Sequence, residues 1–412
     1  MTTKMDAEKG DITASAVRSP WPFYDQETIN RVSKVLKSGN VNQWGGTEVN
    51  LFAKEFASFH QYDTPLYAVP NCNGSTSLQL AMVALEVGPK DEVIVSPRSF
   101  IISATAPLLN GATPVFADVD RNGNLCEEAI SKVISERTKA VILVHMGGLP
   151  CDMEGILRLC RKNNILVVED CSQAHGAMYK NRYVGTLGDI GTWSFCRDKI
   201  MSTGGEGGIC LTSNETLFRR MWAYKDHGRD YQLCMNTEIK WKPGYRRLCT
   251  GVGTNYRMTE IQATIGRYQL LQLHDWIGTR NTNAKIFLSY LADLKVVRLP
   301  EISANVTVHS YYRIYIFLCT DNLKSNCTNV DISEALRSHG VPSSVGSCAT
   351  LWDEPCFDAG NKKTFKKPSE CVIAKSLWRT QIAIECHNTL SQEYMHKIGE
   401  KSKKILLSFQ TS

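Results

Sequence analysis

The stretch ILVVEDCSQAHGA (165–177) runs from apolar, β-branched residues into small and polar ones. Three comparable apolar runs precede it: DEVIVSP (91–97), TPVFADVD (113–120) and KAVILVHM (139–146). A helical pattern, DMEGILRLCRKNN (152–164), lies between KAVILVHM and ILVVEDCSQAHGA. Apolar runs that are joined by helices indicate parallel strands buried on both faces. We therefore predict an α/β fold with a mostly parallel sheet covered by helices, whose ligands bind at the carboxyl ends of the strands.

The second half of the chain has a different pattern. A helical pattern extends from about Thr259 to His274, and SYYRIYIFLC (310–319) then alternates like a half-buried strand. This change predicts a smaller α+β domain after the large one. The predicted organisation is an N-terminal arm at 1–20, a large cofactor-binding domain at 21–274 and a small C-terminal domain at 275–412.

The composition excludes several classes of protein. The 412 residues are 43% apolar and 21% charged, as in an ordinary soluble globular protein. The net charge of +6 is dispersed, so we expect no nucleic-acid partner. The fifteen cysteines form no Cys-x-x-Cys pair, so neither a disulfide framework nor a zinc site is expected. Without a signal peptide or an apolar run long enough to span a bilayer, we expect a cytoplasmic protein that has no membrane partner.

A single lysine, Lys199, lies just upstream of a glycine cluster in SFCRDKIMSTGGEGG (194–208). Glycines let the backbone approach a bound group closely. A buried lysine whose pKa falls can form a Schiff base, although a surface cation is the ordinary interpretation of one lysine. A Walker-type loop needs its lysine after the glycines, and a dinucleotide fingerprint leads into a helix. Here the lysine comes first and an apolar strand follows, so neither nucleotide motif fits.

Two further motifs supply complementary groups. Asp170 ends an apolar run, where a buried carboxylate needs a cationic partner such as the pyridinium nitrogen of pyridoxal phosphate, with Gln173 near the same ligand. In NCNGSTSLQLAMVALEV (71–87), Ser75 and Thr76 precede an amphipathic helix whose free N–H groups can bind a phosphate. Helix capping is the alternative explanation of both motifs. An amine, an acid and a phosphate cradle together are what pyridoxal phosphate requires.

Seven motifs, taken in order, resemble the DegT/DnrJ/StrS family of sugar aminotransferases, over roughly residues 20–405. The resemblance implies a fold-type I transferase that uses pyridoxal phosphate and no metal. It also implies a homodimer with the active site at the subunit interface. The motifs are NGSTSL (73–78), DEVIVSP (91–97), GATPVFADVD (111–120), EDCSQAHGA (169–177), SFCRDK...GGEGG (194–208), KDHGR (225–229) and GTNYRMTEIQATIG (253–266).

The resemblance implies roles for individual residues. Lys199 corresponds to the catalytic lysine that holds the cofactor covalently. Asp170 corresponds to the acid that pairs with the pyridinium nitrogen, and Gln173 to the residue beside the ring hydroxyl. The other implied positions are Gly74, Ser75, Thr76 and Ser194 for the phosphate, Phe100 for stacking on the ring, Asn255 for the phosphate of the neighbouring subunit, and Arg257 for the substrate across the interface.

The chain departs from the family pattern at a few positions. Cys196 stands where the family usually has histidine, and NGS replaces the family's SGT. Pro97 comes one residue later than the family's proline, so the loop before Phe100 is expected to take a different path. The resemblance makes His145 and His175 structural rather than catalytic.

The resemblance implies a transaminase that moves an amino group from an amino acid, L-glutamate, to a nucleotide-linked keto sugar. The product would be an amino sugar for a surface polysaccharide, a glycan or an antibiotic. The alternatives are a keto-inositol as acceptor, a regulator that binds pyridoxal phosphate without catalysis, and a deoxygenating dehydratase, against which Lys199 argues because such relatives carry histidine there. HSYYRIYIF (309–317) and SSVGSCATLW (343–352) are candidate linings of the acceptor pocket.

Overall fold

The computed structural model of the chain describes residues 21–60, 63–236, 248–346, 350–358, 365 and 371–411. The predicted N-terminal arm at 1–20 lies outside the described residues. The helices are α1 (Gln26–Ser38), α2 (Glu48–Phe59), α3 (Gly74–Ala84), α4 (Ile102–Leu109), α5 (Glu127–Ser131), α6 (Met153–Lys162), α7 (Glu215–Lys225), α8 (Tyr231–Met235), α9 (Glu260–Ser289), α10 (Asn329–Ser338), α11 (Pro355–Asp358), α12 (Val372–Thr380) and α13 (Gln392–Ser408). The strands are β1 (Tyr67–Asn71), β2 (Glu92–Val95), β3 (Thr113–Phe116), β4 (Thr138–Val144), β5 (Leu166–Asp170), β6 (Met178–Tyr179), β7 (Arg182–Tyr183), β8 (Ile190–Ser194), β9 (Gly208–Thr212), β10 (Val297–Arg298), β11 (Val306–Val308), β12 (Arg313–Leu318), β13 (Ser343–Ser344) and β14 (Gln381–Glu385).

The central sheet has seven strands in the order β1-β9-β8-β5-β4-β2-β3. Only β9 runs antiparallel to its two neighbours, and the pairings from β8 through β3 are all parallel. The four apolar runs of the sequence form β2, β3, β4 and β5. The predicted α/β fold with a mostly parallel sheet is therefore confirmed.

The core lies on both faces of this sheet. Successive residues of β4 enter opposite apolar clusters, with Val141 and Leu143 on one face and Ala140 and Ile142 on the other. All four side chains are fully buried. Burying one such valine, leucine or isoleucine stabilises the fold by roughly 1.5–3 kcal/mol, which explains why these runs lack polar alternation.

The strand register brings functional positions to one edge of the sheet. Asp170, the last residue of β5, pairs with Val144 on β4 and with Thr192 on β8. Ser194 ends β8, and α3 begins shortly after β1 ends at Asn71. The ends of these strands therefore form a common edge, as expected for a ligand site in a parallel sheet.

A second, four-stranded sheet has the order β10-β12-β14-β13, and its described pairings are antiparallel. Its apolar side chains pack with α9, α10 and α13 in a separate core cluster. The helix predicted to end near His274 continues to Ser289, so α9 has 30 residues. It passes without a break through the predicted domain boundary at 275, which stays a prediction.

Two further expectations concern membrane-spanning helices and the cysteines. Among the described residues, no helix is both long and apolar enough to cross a membrane. The cysteines in the same part of the chain are free thiols.

Candidate active site

The start of α3 forms a cradle against the end of β8. A Cβ atom added to Gly74 would lie 2.5 Å from the Cβ of Ser194, so only glycine allows this approach. The N–H groups of Gly74 and Ser75 are the first two of the helix and have no acceptor within it. Such groups attract an anion, and the Ser194 hydroxyl lies beside them. The residues predicted to hold a phosphate therefore do lie together.

The first turn of α3 also has a strong cap. The Asn73 side chain accepts a hydrogen bond from the Thr76 N–H at 2.9 Å. The Thr76 hydroxyl donates to the Asn73 carbonyl at 2.7 Å. Capping thus engages the N–H and the hydroxyl of Thr76. Gly74, Ser75 and Ser194 are therefore freer to bind a phosphate.

Asp170 is a buried carboxylate at the end of β5. Its Oδ1 accepts the Ser172 N–H at 3.1 Å. Burial raises its pKa, and the hydrogen bonds from Ser172 oppose that rise only in part. Within the described part of the chain, no lysine, arginine or histidine lies within ion-pair distance of this carboxylate. A cationic ring nitrogen would supply the missing partner.

Gln173 is oriented by the backbone that follows β4. Its Oε1 accepts the Gly147 N–H at 2.8 Å, and the side chain is 9% exposed. The bond fixes which end of the amide faces Gly147, a residue whose φ of 64° suits glycine. The NH₂ end of Gln173 can then donate to a ligand, as its predicted place beside a ring hydroxyl requires.

Lys199 lies in a turn whose backbone is held at both ends. Its N–H donates to the Cys196 carbonyl at 3.0 Å, and its carbonyl accepts the indole N–H of Trp21 at 3.0 Å. Its Nζ lies 3.1 Å from Oδ2 of Asp198, and the Tyr312 hydroxyl donates to the same oxygen.

These neighbours correct the expectation of a lowered lysine pKa. Burial by itself lowers the pKa of Lys199, but the contacts with Tyr312 and Asp198 outweigh burial and raise it. Burial also raises the pKa of Asp198, yet the Lys199 ammonium and the Tyr312 hydroxyl bring it down to about 2. The pair is therefore an ammonium and a carboxylate at neutral pH.

A cavity of about 320 Å³ opens beside this lysine turn. Tyr312 and Arg313, from the segment predicted to line the acceptor pocket, form part of its wall. Its lining is Trp21, Arg197, Asp198, Arg280, Tyr312, Arg313, Glu385, Cys386 and His387. The other predicted segment, 343–352, includes positions 347–349, which lie outside the described residues. Its last two residues, Leu351 and Trp352, are buried in the core.

His145 and Glu169 form a buried pair behind the site. Nδ1 of His145 accepts the Cys151 N–H at 3.0 Å, so the ring proton is on Nε2, which lies 3.1 Å from Oε2 of Glu169. Both nitrogens are thus engaged within the protein. His175 is also buried, which lowers its pKa to about 3 and keeps it neutral. The engaged nitrogens of His145 fit its predicted structural role, and the role of His175 stays a prediction.

The two residues predicted to act across a subunit interface lie far from Lys199 in the sequence and differ in exposure. Asn255 is exposed, and its Oδ1 accepts the Arg257 N–H at 3.3 Å. The Arg257 guanidinium donates to the buried Asp226 carboxylate at 2.6 Å, so this ion pair already occupies part of it. Phe100 is 69% exposed just before α4, which leaves its ring open to a ligand.

Three residues of the site were not identified from the sequence. Asp198 adjoins Lys199, which was a signal, but an acidic neighbour alone has no defined role. Tyr312 was included only within a candidate pocket segment. Trp21, at the start of the described chain, carried no signal at all.

The residues present fit pyridoxal phosphate. The glycine cradle at Gly74 suits the phosphate, and the amine of Lys199 suits the aldehyde. The buried carboxylate of Asp170, which has no ion-pair partner among the described residues, suits the ring nitrogen.

Comparison with known proteins gives relatives over most of the chain. It is 34% identical over 380 residues to a GDP-perosamine synthase from Escherichia coli O157:H7, covering 92% of this chain and 96% of that protein. It is 31% identical over 413 residues to an L-glutamine:2-deoxy-scyllo-inosose aminotransferase from Streptomyces kanamyceticus, covering 94% of each.

A solved aminotransferase from Psychrobacter cryohalolentis is similar in fold. It superposes with a TM-score of 0.89 at 41% identity, over 95% of this chain and 98% of that one. A model of the DegT/DnrJ/EryC1/StrS aminotransferase family matches residues 22–403. The chain therefore belongs to this family of pyridoxal phosphate-dependent sugar aminotransferases.

Proposed function

We propose that the protein transfers an amino group from L-glutamate to the keto group of a nucleotide-linked sugar, with Lys199 as the catalytic residue. The observation that carries this proposal is the buried Asp170 carboxylate without a described ion-pair partner, at the sheet edge that also holds the Gly74–Ser194 cradle. When bound, pyridoxal phosphate supplies an electron sink for the pair of electrons left at the amino-bearing carbon.

Different residues of the chain bind the cofactor and transfer the proton. The N–H groups at the start of α3 and the Ser194 hydroxyl bind the phosphate, and Gln173 donates to the ring hydroxyl. Asp170 keeps the proton on the ring nitrogen because a buried carboxylate is stabilised by a cation. The Lys199 Nζ, once free, removes the proton from the α-carbon of the donor and later returns a proton to the new amino-bearing carbon of the sugar. Donor and acceptor use one site in turn, so the kinetics should be ping-pong.

We infer that the protein acts as a homodimer, with Asn255 reaching the phosphate in the neighbouring subunit and Arg257 contacting substrate there. The exposed side chain of Asn255 supports this inference, since it is free to meet a second copy. Mixing Asn255→Ala and Lys199→Ala subunits should restore part of the activity, because one of the two shared sites would then be intact. Absence of rescue, when subunit exchange is demonstrated by native mass spectrometry, would contradict the shared site.

The decisive experiment locates the cofactor bond. The yellow protein is reduced with borohydride, digested and mapped by mass spectrometry, with Lys199→Ala as the matched variant. A phosphopyridoxyl group on the Lys199 peptide is expected. An adduct at any other lysine, or turnover by Lys199→Ala, would refute the assignment.

A keto-inositol is the second candidate acceptor, since a relative that matches 94% of the chain is named as a scyllo-inosose aminotransferase. A panel of nucleotide-linked 3-keto and 4-keto sugars and cyclitol ketones, offered with glutamate or glutamine, separates the two candidates by kcat/KM.

A further inference from the structure

The Lys199 ammonium is enclosed by two groups that meet at one oxygen atom. Asp198 Oδ2 lies 3.1 Å from the Lys199 Nζ and also accepts the Tyr312 hydroxyl hydrogen bond. The same Nζ lies 5.0 Å from the centroid of the Tyr312 ring, within the range of a cation–π contact. A carboxylate and an aromatic ring therefore hold the amine from two sides, and both contacts favour its protonated form.

Hydrogen bonds fix the backbone position from which the Lys199 side chain extends. The Lys199 N–H and carbonyl are both bonded, to Cys196 and Trp21. The Arg197 N–H donates to the Gly205 carbonyl at 3.0 Å, so the glycine cluster anchors the same turn. Movement of the amine between Asp198 and a ligand must therefore come from rotation about the side-chain bonds of Lys199.

Few other titratable groups face the amine. Cys196 also raises the pKa of Lys199, and the ammonium in turn acts on Asp170 and on the neutral His175. The Tyr312 ring also faces a second cation, the Arg313 guanidinium, at 5.2 Å. Asp198 is the only carboxylate that the described residues place in ion-pair contact with Lys199.

We propose that Asp198 and Tyr312 are positioning residues that hold the protonated amine of Lys199 when it is neither bonded to the cofactor nor transferring a proton. This rests on the proposed function only in that Lys199 is taken as the cofactor lysine. The amine has two resting places. In one position it is bonded to the cofactor, and in the other it is paired with Asp198. This pairing places the amine in the same position in every half-reaction. The raised pKa of Lys199 in the docked position means that the amine must give a proton to solvent or substrate before it reacts.

Amine labelling of the full chain tests this without any turnover. The protein is freed of cofactor with hydroxylamine, dialysed, and treated with N-hydroxysulfosuccinimide acetate between pH 7 and pH 10. The acetylation of Lys199 is measured by peptide mapping relative to the exposed Lys34 in the same digest. Only the neutral amine reacts, and one unit of pKa changes the neutral fraction about tenfold. Asp198→Asn should raise the Lys199/Lys34 ratio about three- to tenfold at pH 8 and move the pH midpoint of labelling downward.

The controls separate positioning from general loosening. Tyr312→Phe keeps the ring and removes the hydroxyl, so its ratio should rise less than that of Asp198→Asn, by about twofold. Glu154→Gln removes the partner of Lys180, 2.9 Å away on the surface, and should alter Lys180 without altering Lys199. An unchanged ratio and midpoint in both Asp198→Asn and Tyr312→Phe overturns the proposal. If Asp198→Asn fails the check of its circular dichroism spectrum, Tyr312→Phe alone decides.

A separate measurement in the same experiment tests the proposed function. Pyridoxal phosphate should protect Lys199 from acetylation in the wild-type chain. Lack of protection refutes the cofactor bond but leaves the labelling ratios of the cofactor-free chain valid as evidence on Asp198.

Discussion

Replacing Glu169 by glutamine should destabilise the protein strongly, although Glu169 touches no predicted ligand. Its carboxylate is completely buried and accepts four hydrogen bonds. Oε1 accepts the N–H groups of Leu187 at 2.8 Å and Gly188 at 2.7 Å. Oε2 accepts the Gly185 N–H at 2.8 Å and lies 3.1 Å from Nε2 of His145. Burial works against the charge, but these donors together lower the pKa of Glu169.

The size of the effect follows from the geometry. Glutamine keeps one oxygen and puts an NH₂ group where the other was, so two donors lose their acceptor. A hydrogen bond to a buried charge is worth roughly 1.5–3 kcal/mol, so the loss of two gives about 3–6 kcal/mol for the substitution. An unfolding entropy of about 2.1 cal/mol/K per residue makes 1 kcal/mol equal to about 1 °C for a chain of this length. The melting temperature should fall by about 3–6 °C.

Differential scanning calorimetry of Glu169→Gln and of the matched surface variant Glu127→Gln tests this prediction. Glu127 is half-exposed and pairs with Arg158, so its variant should melt within about 1 °C of the wild type. Because the pKa of Glu169 is lowered in the folded state, its contribution is complete above the ordinary pKa of 4.5 and is lost only as pH falls through the folded value. The gap should therefore be constant from pH 7 to pH 5. A fall of less than 1 °C would refute the reasoning.

Three further predictions test other parts of the structure. Gly74→Ala brings a Cβ to 2.5 Å from that of Ser194 and should weaken cofactor binding about tenfold in an absorbance titration. Gly88→Ala, with no atom within 4 Å of its added Cβ, should bind normally, and equal affinities would contradict the cradle. Burial lowers the pKa of His309 to about 3, so below pH 6.5 the unfolded chain binds a proton that the folded chain does not. The free energy of unfolding should then fall by up to about 1.4 kcal/mol for each pH unit. His309→Gln should flatten the dependence of melting temperature on pH, and parallel curves for the variant and the wild type would disprove this prediction. Arg280→Met should lower the melting temperature by about 2–6 °C because two buried backbone carbonyls lose their donor, and an unchanged value would show that water replaces it.

The sheet and the cluster of Asp170, Gln173 and Lys199 could be predicted because local signals determine them. An unbroken apolar run buries both faces of a strand, and residues at the ends of adjacent parallel strands must share an edge. The length of α9 could not be predicted in the same way. Its start carries a capping box at Thr259, but beyond His274 the helix buries the polar side chains of Arg280 and Asn283, which hide the apolar period.

Contacts between distant segments lie outside what such patterns can show. The Asp198–Tyr312 bond joins residues 114 positions apart, and neither residue type is unusual in its local context. The raised pKa of Lys199 follows from that contact, whereas burial alone would lower it. The individual cofactor and interface roles stay predictions until the adduct and subunit-mixing experiments are done.

The bond from the Trp21 indole to the Lys199 carbonyl spans 178 positions of the chain. The indole also packs edge-on against Trp276, with centroids 5.3 Å apart, and stacks near His387 at 6.1 Å. Truncations or affinity tags that alter the segment entering Trp21 would therefore act directly on the lysine turn. The same indole is one of eight tryptophans in the chain, so the difference between the emission of the wild type and that of Trp21→Phe should report when the lysine changes its state, without any added dye.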